Sequence, residues 1–120
     1  MILLDIVPAI LYDGEAMEKI VEQSLLYDFY GDLLTDHQKD IYEGYILENL
    51  SLAELAESCG ISRQGVHDLI RRVESTLQGY EEKLHLVEKF LTIREQVKQI
   101  EASDSLKNTK KIAAEILEIL

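Results

Sequence analysis

The sequence is poor in proline, cysteine and basic residues. A single proline and 29% charged residues in a chain of 120 favour helix over sheet. The lone Cys59 excludes an internal disulfide, and His37, His67 and His85 fall on different predicted helices, so we predict no metal site. Twelve Lys and Arg residues stand against 23 Asp and Glu residues, which gives a formal net charge of -11. The chain therefore lacks the broad basic surface that is typical of nucleic-acid-binding proteins.

Long apolar runs are also missing. Residues 1–16, MILLDIVPAILYDGEA, come closest, but Asp5, Pro8 and Asp13 interrupt them and no Lys or Arg precedes them. A membrane-spanning helix needs about 20 apolar residues, so this segment is predicted to be neither an anchor nor a signal peptide. We expect an N-terminal extension that is poorly ordered or packed as a surface appendage. With a single cysteine, a reducing cytoplasmic location is the simplest interpretation.

The sequence has little that indicates an enzyme. No strand-like alternation and no phosphate-binding glycine loop occur. Carboxylate pairs such as Glu81 and Glu82 lie on predicted solvated helix faces without a paired base or nucleophile. We therefore predict no enzymatic activity and no cofactor.

What the sequence does contain is a helix-turn-helix pattern at residues 51–73, SLAELAESCGISRQGVHDLIRRV. Ser51 and Glu54 have the spacing of a capping box, which predicts a helix from Leu52. Gly60 suits the left-handed conformation that ends such a helix, and Ser62 can cap a second helix at once. The first helix would bury Leu52, Leu55 and Ala56, with Ala56 at the close crossing of the two helices.

The second helix separates an inner from an outer face. Its predicted inner stripe is Val66, Leu69, Ile70, Val73 and Leu77, at helical spacing. In a helix-turn-helix the second helix enters the major groove of DNA. Arg63 and Gln64 would read bases, because Arg suits a guanine edge and Gln an adenine edge. The other candidate DNA-binding residues are Ser62, His67, Arg71 and Arg72, of which Ser62, Arg71 and Arg72 suit phosphates and His67 a base or a phosphate.

Two resemblances extend this interpretation. Residues 35–78 look like region 4 of a bacterial sigma factor, which reads the promoter -35 element. Residues 17 to about 90 are similar to the small YlxM family, on the stretches YDFYGDLLT, ISRQGVHDLI and KL at 83–84. The second resemblance implies an all-helical cytoplasmic DNA-binding regulator, whose gene neighbourhood ties it to the signal recognition particle GTPase. So short a chain has no counterpart of the DNA-melting region of a sigma factor, so a stand-alone sigma factor is not expected.

The predicted fold is an all-α helical bundle without a wing, made of five helices. Residues 16–33 and 36–48 form the first two, the second capped by Thr35 with Gln38. The apolar residues predicted to pack there are Ile20, Val21, Leu25, Leu26, Phe29, Tyr30, Leu33, Ile41, Tyr45 and Ile46. The second helix of the helix-turn-helix, called the recognition helix below, would continue, or restart after Gly79, as far as about Ala102. A terminal helix follows it. The predicted domains are therefore 17–79, with the helix-turn-helix at 51–78, and a tail at 80–120.

The tail carries more apolar surface than one helix can hide. A row at heptad spacing and the apolar side of the terminal helix predict a homodimer, although the tail helices could also fold back on their own chain. The residues assigned to dimerisation are Leu86, Phe90, Ile93, Val97, Ile100, Ile112, Ile116, Ile119 and Leu120.

Charge leaves the function open between classes. In residues 62–78 three arginines stand against Asp68 and Glu74, so the recognition segment carries +1 and the rest of the chain -12. One hypothesis is a DNA-binding regulator of moderate affinity. The other is a protein-interaction module of the signal recognition particle system that keeps the helix-turn-helix as a scaffold. RNA binding is a third, for which no aromatic platform beside basic residues is found.

Overall fold

The computed structural model describes residues 15–120, and side chains from Lys19 onward. The chain divides into two compact units, one ending at Lys83 and one spanning Leu84–Leu120. Residues 15–120 are all-helical and contain no strand. The helices are α1 (Glu15–Tyr30), α2 (Asp36–Ile46), α3 (Leu52–Cys59), α4 (Arg63–Leu84), α5 (Leu86–Ala102) and α6 (Leu106–Ile119), with a 3-10 turn at Gly31–Leu33. Of the predicted extension at 1–16, only the last two residues lie within the described part, and both are helical.

Helix α1 supplies one wall of the first core. Val21, Leu25, Leu26 and Tyr30 are buried as predicted. Ile20 and Leu33, which were expected in the same face, are 47% and 59% exposed, so this part of the prediction is wrong. Leu33 is exposed because the 3-10 turn at Gly31–Leu33 changes the helical register, and Leu34 is the residue that is buried instead.

Helix α2 starts with the predicted capping box. The Gln38 backbone N–H donates to Thr35 Oγ1 at 3.2 Å, and the Thr35 N–H donates to Gln38 Oε1 at 3.0 Å. The helix ends at Ile46, two residues earlier than expected. Tyr42 is fully buried, whereas Tyr45 and Ile46 are only half-buried, so Tyr42 takes the core position that the sequence analysis gave to them.

Helices α2 and α3 approach closely at a glycine. A Cβ atom on Gly44 would lie 2.7 Å from Leu55 Cδ2, which is closer than real Cβ contacts allow. Leu55 and Ala56 are buried, as predicted, and Leu52 is half-buried. The first helix of the helix-turn-helix is therefore held against α2 by a pair of close-packed positions.

Helix α4 closes the first unit over α1. Its inner face buries the residues Val66, Ile70, Val73 and Leu77, while Leu69 is half-buried. The Tyr30 and Tyr80 rings lie 5.9 Å apart, and the Tyr30 hydroxyl donates to Glu81 Oε1 at 2.6 Å. These contacts join the end of α1 to the last turns of α4.

The helix that was expected to run to Ala102 is broken. Helix α4 continues through Gly79 to Leu84, but His85 has φ 55° and ψ 30°, so the chain leaves the helical path there and α5 begins at Leu86. The described residues therefore hold six α-helices rather than five. Apolar spacing does not predict a left-handed residue between two helices, because the apolar residues on each side of it still follow the spacing of a helix.

The second unit is a hairpin of α5 and α6. Ser105 caps α6, with its Oγ accepting from the Asn108 N–H at 3.2 Å. Val87 and Ile112 are the two buried side chains of residues 84–120. The tail helices do fold back on their own chain, the alternative that the sequence had left open beside dimerisation.

Candidate nucleic-acid interface

Local interactions fix the turn of the helix-turn-helix. The Glu54 N–H donates to Ser51 Oγ at 3.1 Å, and the Ser51 N–H donates to Glu54 Oε1 at 3.4 Å, which completes the predicted box. Gly60 has φ 70° and ψ 28°, a left-handed conformation that glycine adopts without a Cβ clash. The Gly60 and Ile61 N–H groups both donate to the Ala56 carbonyl, which ends α3 and lets the chain turn at once.

Ser62 caps the recognition helix. Its Oγ accepts from the Gly65 N–H at 3.0 Å, and its carbonyl accepts from the Val66 N–H at 3.0 Å. Helix α4 begins at Arg63 as predicted. Ser62 is exposed, so its hydroxyl proton can still turn toward a ligand while the oxygen caps the helix.

The outer face of α4 presents the predicted candidates together. Arg63, Gln64, Arg71 and Arg72 are exposed, and His67 is half-buried. Because Arg63 and Gln64 occupy the first turn and the arginine pair begins two turns later, the polar groups extend along one side of the helix.

Asp68 lies in the middle of this face, where its carboxylate interacts with Gln64 and His67. The Gln64 Nε2 donates to Asp68 Oδ1 at 2.9 Å, and His67 Nδ1 lies 3.5 Å from the same oxygen. The hydrogen bond from Gln64, followed by the nearby His67 ring, lowers the pKa of the Asp68 carboxyl below its usual value. The carboxylate therefore stays ionised among the candidate reading residues.

A cleft beside the recognition helix brings in a residue that the sequence analysis missed. The cleft is open to solvent and has a volume of ≈ 420 Å³. It is lined by Lys19, Ile20, Gln23, Tyr45, His67, Ile70, Arg71 and Glu74. Lys19 comes from α1 and shares the cleft with His67 and Arg71. No local signal in the sequence identifies Lys19, because it is brought here by the packing of α1 on α4.

Glu74 is the negative group of this cleft. Burial raises the pKa of its carboxyl above the ordinary value, while Lys19, Tyr42 and Arg71 nearby act in the opposite direction. A half-buried carboxylate reduces the positive potential that Lys19 and Arg71 would otherwise give to the cleft.

The two units differ in charge. Residues 84–120 contain six basic and six acidic residues, so the whole net charge of -11 belongs to residues 1–83. Residues 1–83 hold six basic residues, which are Lys19, Lys39, Arg63, Arg71, Arg72 and Lys83. Lys39, which lies on α2, makes an ion pair with Asp32 at 3.1 Å. Five of the six cations therefore lie on α4 or line the cleft beside it, with Lys83 in the last turn of the helix.

The fold and this face define the class: the chain is a helix-turn-helix protein. None of the helices within residues 15–120 is long and apolar enough to cross a membrane. Residues 17–117 match the family described as "Putative helix-turn-helix protein, YlxM / p13 like", and the chain belongs to this family, UPF0122. The resemblance to YlxM inferred from the sequence is thereby confirmed.

Individual relatives agree with this membership. A UPF0122 protein of Thermoanaerobacter sp. (strain X514) is 44% identical over 97 residues, covering 81% of this chain and 83% of the relative. One of Desulforamulus reducens is 40% identical over 112 residues, covering 85% and 96%. One of Symbiobacterium thermophilum is 51% identical over 71 residues, covering 59% and 66%. The similarity includes both units of the chain, since the family match runs to residue 117.

Proposed function

We propose that this chain is a cytoplasmic, non-enzymatic regulatory protein that binds DNA through helix α4. The observation that carries the proposal is the concentration of cations in an otherwise acidic unit. Arg63, Arg71 and Arg72 are exposed on α4, and Lys19 lines the adjoining cleft, whereas Lys39 is paired with Asp32. Such a distribution gives one face of the unit a positive field at short range, although the unit as a whole is negative.

The residues divide by the contact that their position suits. Arg63 and Gln64, at the start of α4, are assigned to base edges in the major groove. Arg71 and Arg72 are assigned to phosphates, and so is Lys19, which shares the cleft with Arg71. Ser62 is assigned to a phosphate at the helix start, and His67 to a base or a phosphate.

The acidic balance sets the expected affinity. Charges more than about 8 Å apart are largely screened at physiological salt, so the local cations act on a phosphate before the distant carboxylates do. Few cations are available, and the salt dependence of binding scales with the number of phosphates neutralised. We therefore expect moderate affinity with a shallow salt slope, and specificity that depends on base contacts.

The test is binding to genomic DNA fragments at several salt concentrations, with single substitutions. Arg63→Ala should reduce discrimination between fragments, because a bidentate base contact contributes roughly 1–3 kcal/mol of discrimination. Arg71→Ala should weaken binding to all fragments alike and lower the salt slope by about 1.

Lys39→Ala is the matched control. It removes one cation of the same unit, which lies on α2 and is already paired with Asp32. It should leave both discrimination and salt slope unchanged. Absence of binding at low salt, or equal behaviour of the three variants, contradicts DNA binding.

We further propose that the tail unit forms a homodimer. Residues 84–120 are neutral overall, so two copies meet without net repulsion. Phe90, Ile93 and Val97, with Arg94, Lys98 and Glu101, line a groove of ≈ 390 Å³ on α5. The groove contains two cations and an anion, so a second copy can supply matching charges around an apolar centre. Two recognition helices about 34 Å apart would then read a two-fold symmetric site.

The nine residues assigned to dimerisation differ in what they can offer. Leu86, Val97 and Leu120 are exposed by 42%, 42% and 79%. Phe90, Ile93, Ile100, Ile116 and Ile119 are half-buried, and Ile112 is buried within its own unit. Ile112 therefore supports the dimer by stabilising the hairpin, and the more exposed residues supply the contact.

The second candidate function is an interaction module of the signal recognition particle system. The observation that favours it is the charge of -11 on residues 1–83, which suits a basic protein partner better than a polyanion. The same measurement separates the two. A chain that binds no genomic fragment at low salt, but binds the purified signal recognition particle GTPase, supports the second function and contradicts the first.

A further inference from the structure

The carboxylate of Asp68 and the amide of Gln64 form one unit on the face of α4. The two side chains lie one helical turn apart and are joined by a hydrogen bond of 2.9 Å. A carboxylate can only accept hydrogen bonds, so the amide must turn its nitrogen, and not its oxygen, toward Asp68. The orientation of the Gln64 amide is thereby fixed by the chemistry of its partner.

A fixed amide offers a defined pattern to a base. One N–H of Gln64 is engaged by Asp68, which leaves the second N–H as a donor and Oε1 as an acceptor. Adenine presents the complementary pair in the major groove, with N6–H as donor and N7 as acceptor. Guanine presents two acceptors there, O6 and N7. One of them would face Oε1, which is also an acceptor, so the two oxygens or the oxygen and nitrogen would repel each other. Thymine offers only O4, which requires an N–H donor.

From this geometry we propose that Asp68 is a positioning residue for base recognition: it holds the Gln64 amide in the orientation that selects adenine. The inference rests on the proposed DNA-binding function and deepens it. Asp68 also carries a negative charge on the face that meets phosphates, so it weakens binding to all DNA while it sharpens the choice of base. The approach of His67 Nδ1 to the same oxygen, at 3.5 Å, adds a second neighbour to the arrangement.

A purely structural explanation exists and predicts something different. A Gln and an Asp four residues apart on a helix stabilise it slightly, whatever the helix binds. Loss of such a pair lowers helix stability but does not alter the preference for one base over another. Base preference is therefore the readout that separates positioning from helix stabilisation.

Asp68→Asn is the decisive substitution. Asn has both a donor and an acceptor, so it lets the Gln64 amide adopt either orientation, and it removes one negative charge. Binding is measured with the full chain on 20-base-pair duplexes, selected from a random library by the unsubstituted protein, and on copies with the contacted adenine replaced by guanine. We expect affinity for all duplexes to rise by about three- to tenfold at low salt. We expect the discrimination between adenine and guanine to fall by about five- to tenfold.

Two controls isolate the effect. Asp40→Asn makes the same chemical change at an exposed position of α2, and it should leave the discrimination unchanged. In a Gln64→Ala background, Asp68→Asn should still raise affinity but no longer change the discrimination, because the group that it positions is absent.

The outcomes are distinct. Tighter binding with reduced discrimination that depends on Gln64 supports the inference. Unchanged discrimination in Asp68→Asn, or an equal change in the Gln64→Ala background, overturns the inference and leaves DNA binding standing. If the unsubstituted chain selects no duplex at low salt, the proposed function fails and the inference fails with it.

Discussion

The two units of this chain are both helical, but they treat apolar surface in opposite ways. The unit ending at Lys83 fully buries large side chains, among them Tyr30, Ile41, Tyr42 and Leu77, and it carries the whole charge of -11. The Leu84–Leu120 unit buries only Val87 and Ile112, is neutral, and exposes several leucines. A strongly charged surface around a closed core opposes self-association, whereas exposed apolar residues on a neutral hairpin are typical of an interaction surface.

The largest expected effect comes from removing core volume in the first unit. Leu77 is completely buried on the inner face of α4, so Leu77→Ala leaves a cavity beneath the recognition helix. Such substitutions lower the free energy of unfolding by about 2–5 kcal/mol. Urea unfolding followed by circular dichroism measures the loss.

The matched control for Leu77 lies in the tail. Leu106 is 71% exposed, and Leu106→Ala should change the free energy of unfolding by less than about 0.5 kcal/mol. Equal losses for the two variants would contradict the distinction between a closed core and an open hairpin.

The next largest effect is expected in the association of the tail. Val97 is 42% exposed and lines the groove on α5, so Val97→Asp would place a carboxylate in an apolar contact between copies. Removing this carboxylate from water costs several kcal/mol even beside Arg94 and Lys98, because those cations must lose water with it, and the dimer should dissociate into monomers at micromolar concentration. Sedimentation equilibrium gives the molar mass, and thermal unfolding checks that the helices remain.

Glu95→Asp is the control for Val97→Asp, because it alters an exposed residue of α5 and keeps its charge. It should leave the molar mass unchanged. A monomeric unsubstituted chain, or a Val97→Asp variant that still has the mass of a dimer, rules out this surface as the dimer contact.

Sequence analysis succeeded where local chemistry decides the structure and failed where packing between helices decides it. The capping boxes, Gly60 and the start of α4 follow from local chemistry, and the structure confirms them. The break at His85 and the exposure of Leu33 were not predicted, because a left-handed residue and a change of register do not alter the spacing of apolar residues in the sequence. Lys19 joins the cleft through packing between helices distant in sequence, which a single sequence does not reveal.

A smaller effect is expected at the helix caps, which occur in both units. Ser51 and Ser105 each accept a hydrogen bond from the backbone N–H three residues ahead, at 3.1 and 3.2 Å. Replacing either by Ala should lower the free energy of unfolding by about 1 kcal/mol. Hydrogen exchange of the α3 and α6 amides measures each loss locally, and Ser51→Ala alone should loosen the turn before the recognition helix.

Ser75→Ala is the control for the caps, since Ser75 is exposed within α4 and caps no helix. It should have no measurable effect on exchange in α3 or α6. Faster exchange throughout the chain in Ser51→Ala would show that the cap is not a local feature of the turn.

The smallest effect is expected at Glu74, and it depends on pH. Burial raises the pKa of this carboxyl from its ordinary value of 4.5, so the folded state favours the protonated form more than the unfolded state does. Ionisation therefore reduces stability: the penalty is absent below the unfolded pKa and is complete once the pH exceeds the folded pKa.

Glu74→Gln should raise the free energy of unfolding at pH 7 by less than about 1 kcal/mol, allowing for solvent screening, and should have no such benefit at pH 3.5. Urea unfolding at both pH values measures this difference, with Glu82→Gln as an exposed control on the same helix. A gain that is equal at both pH values would mean that side-chain shape, and not the buried charge beside Lys19 and Arg71, limits the stability of the acidic unit.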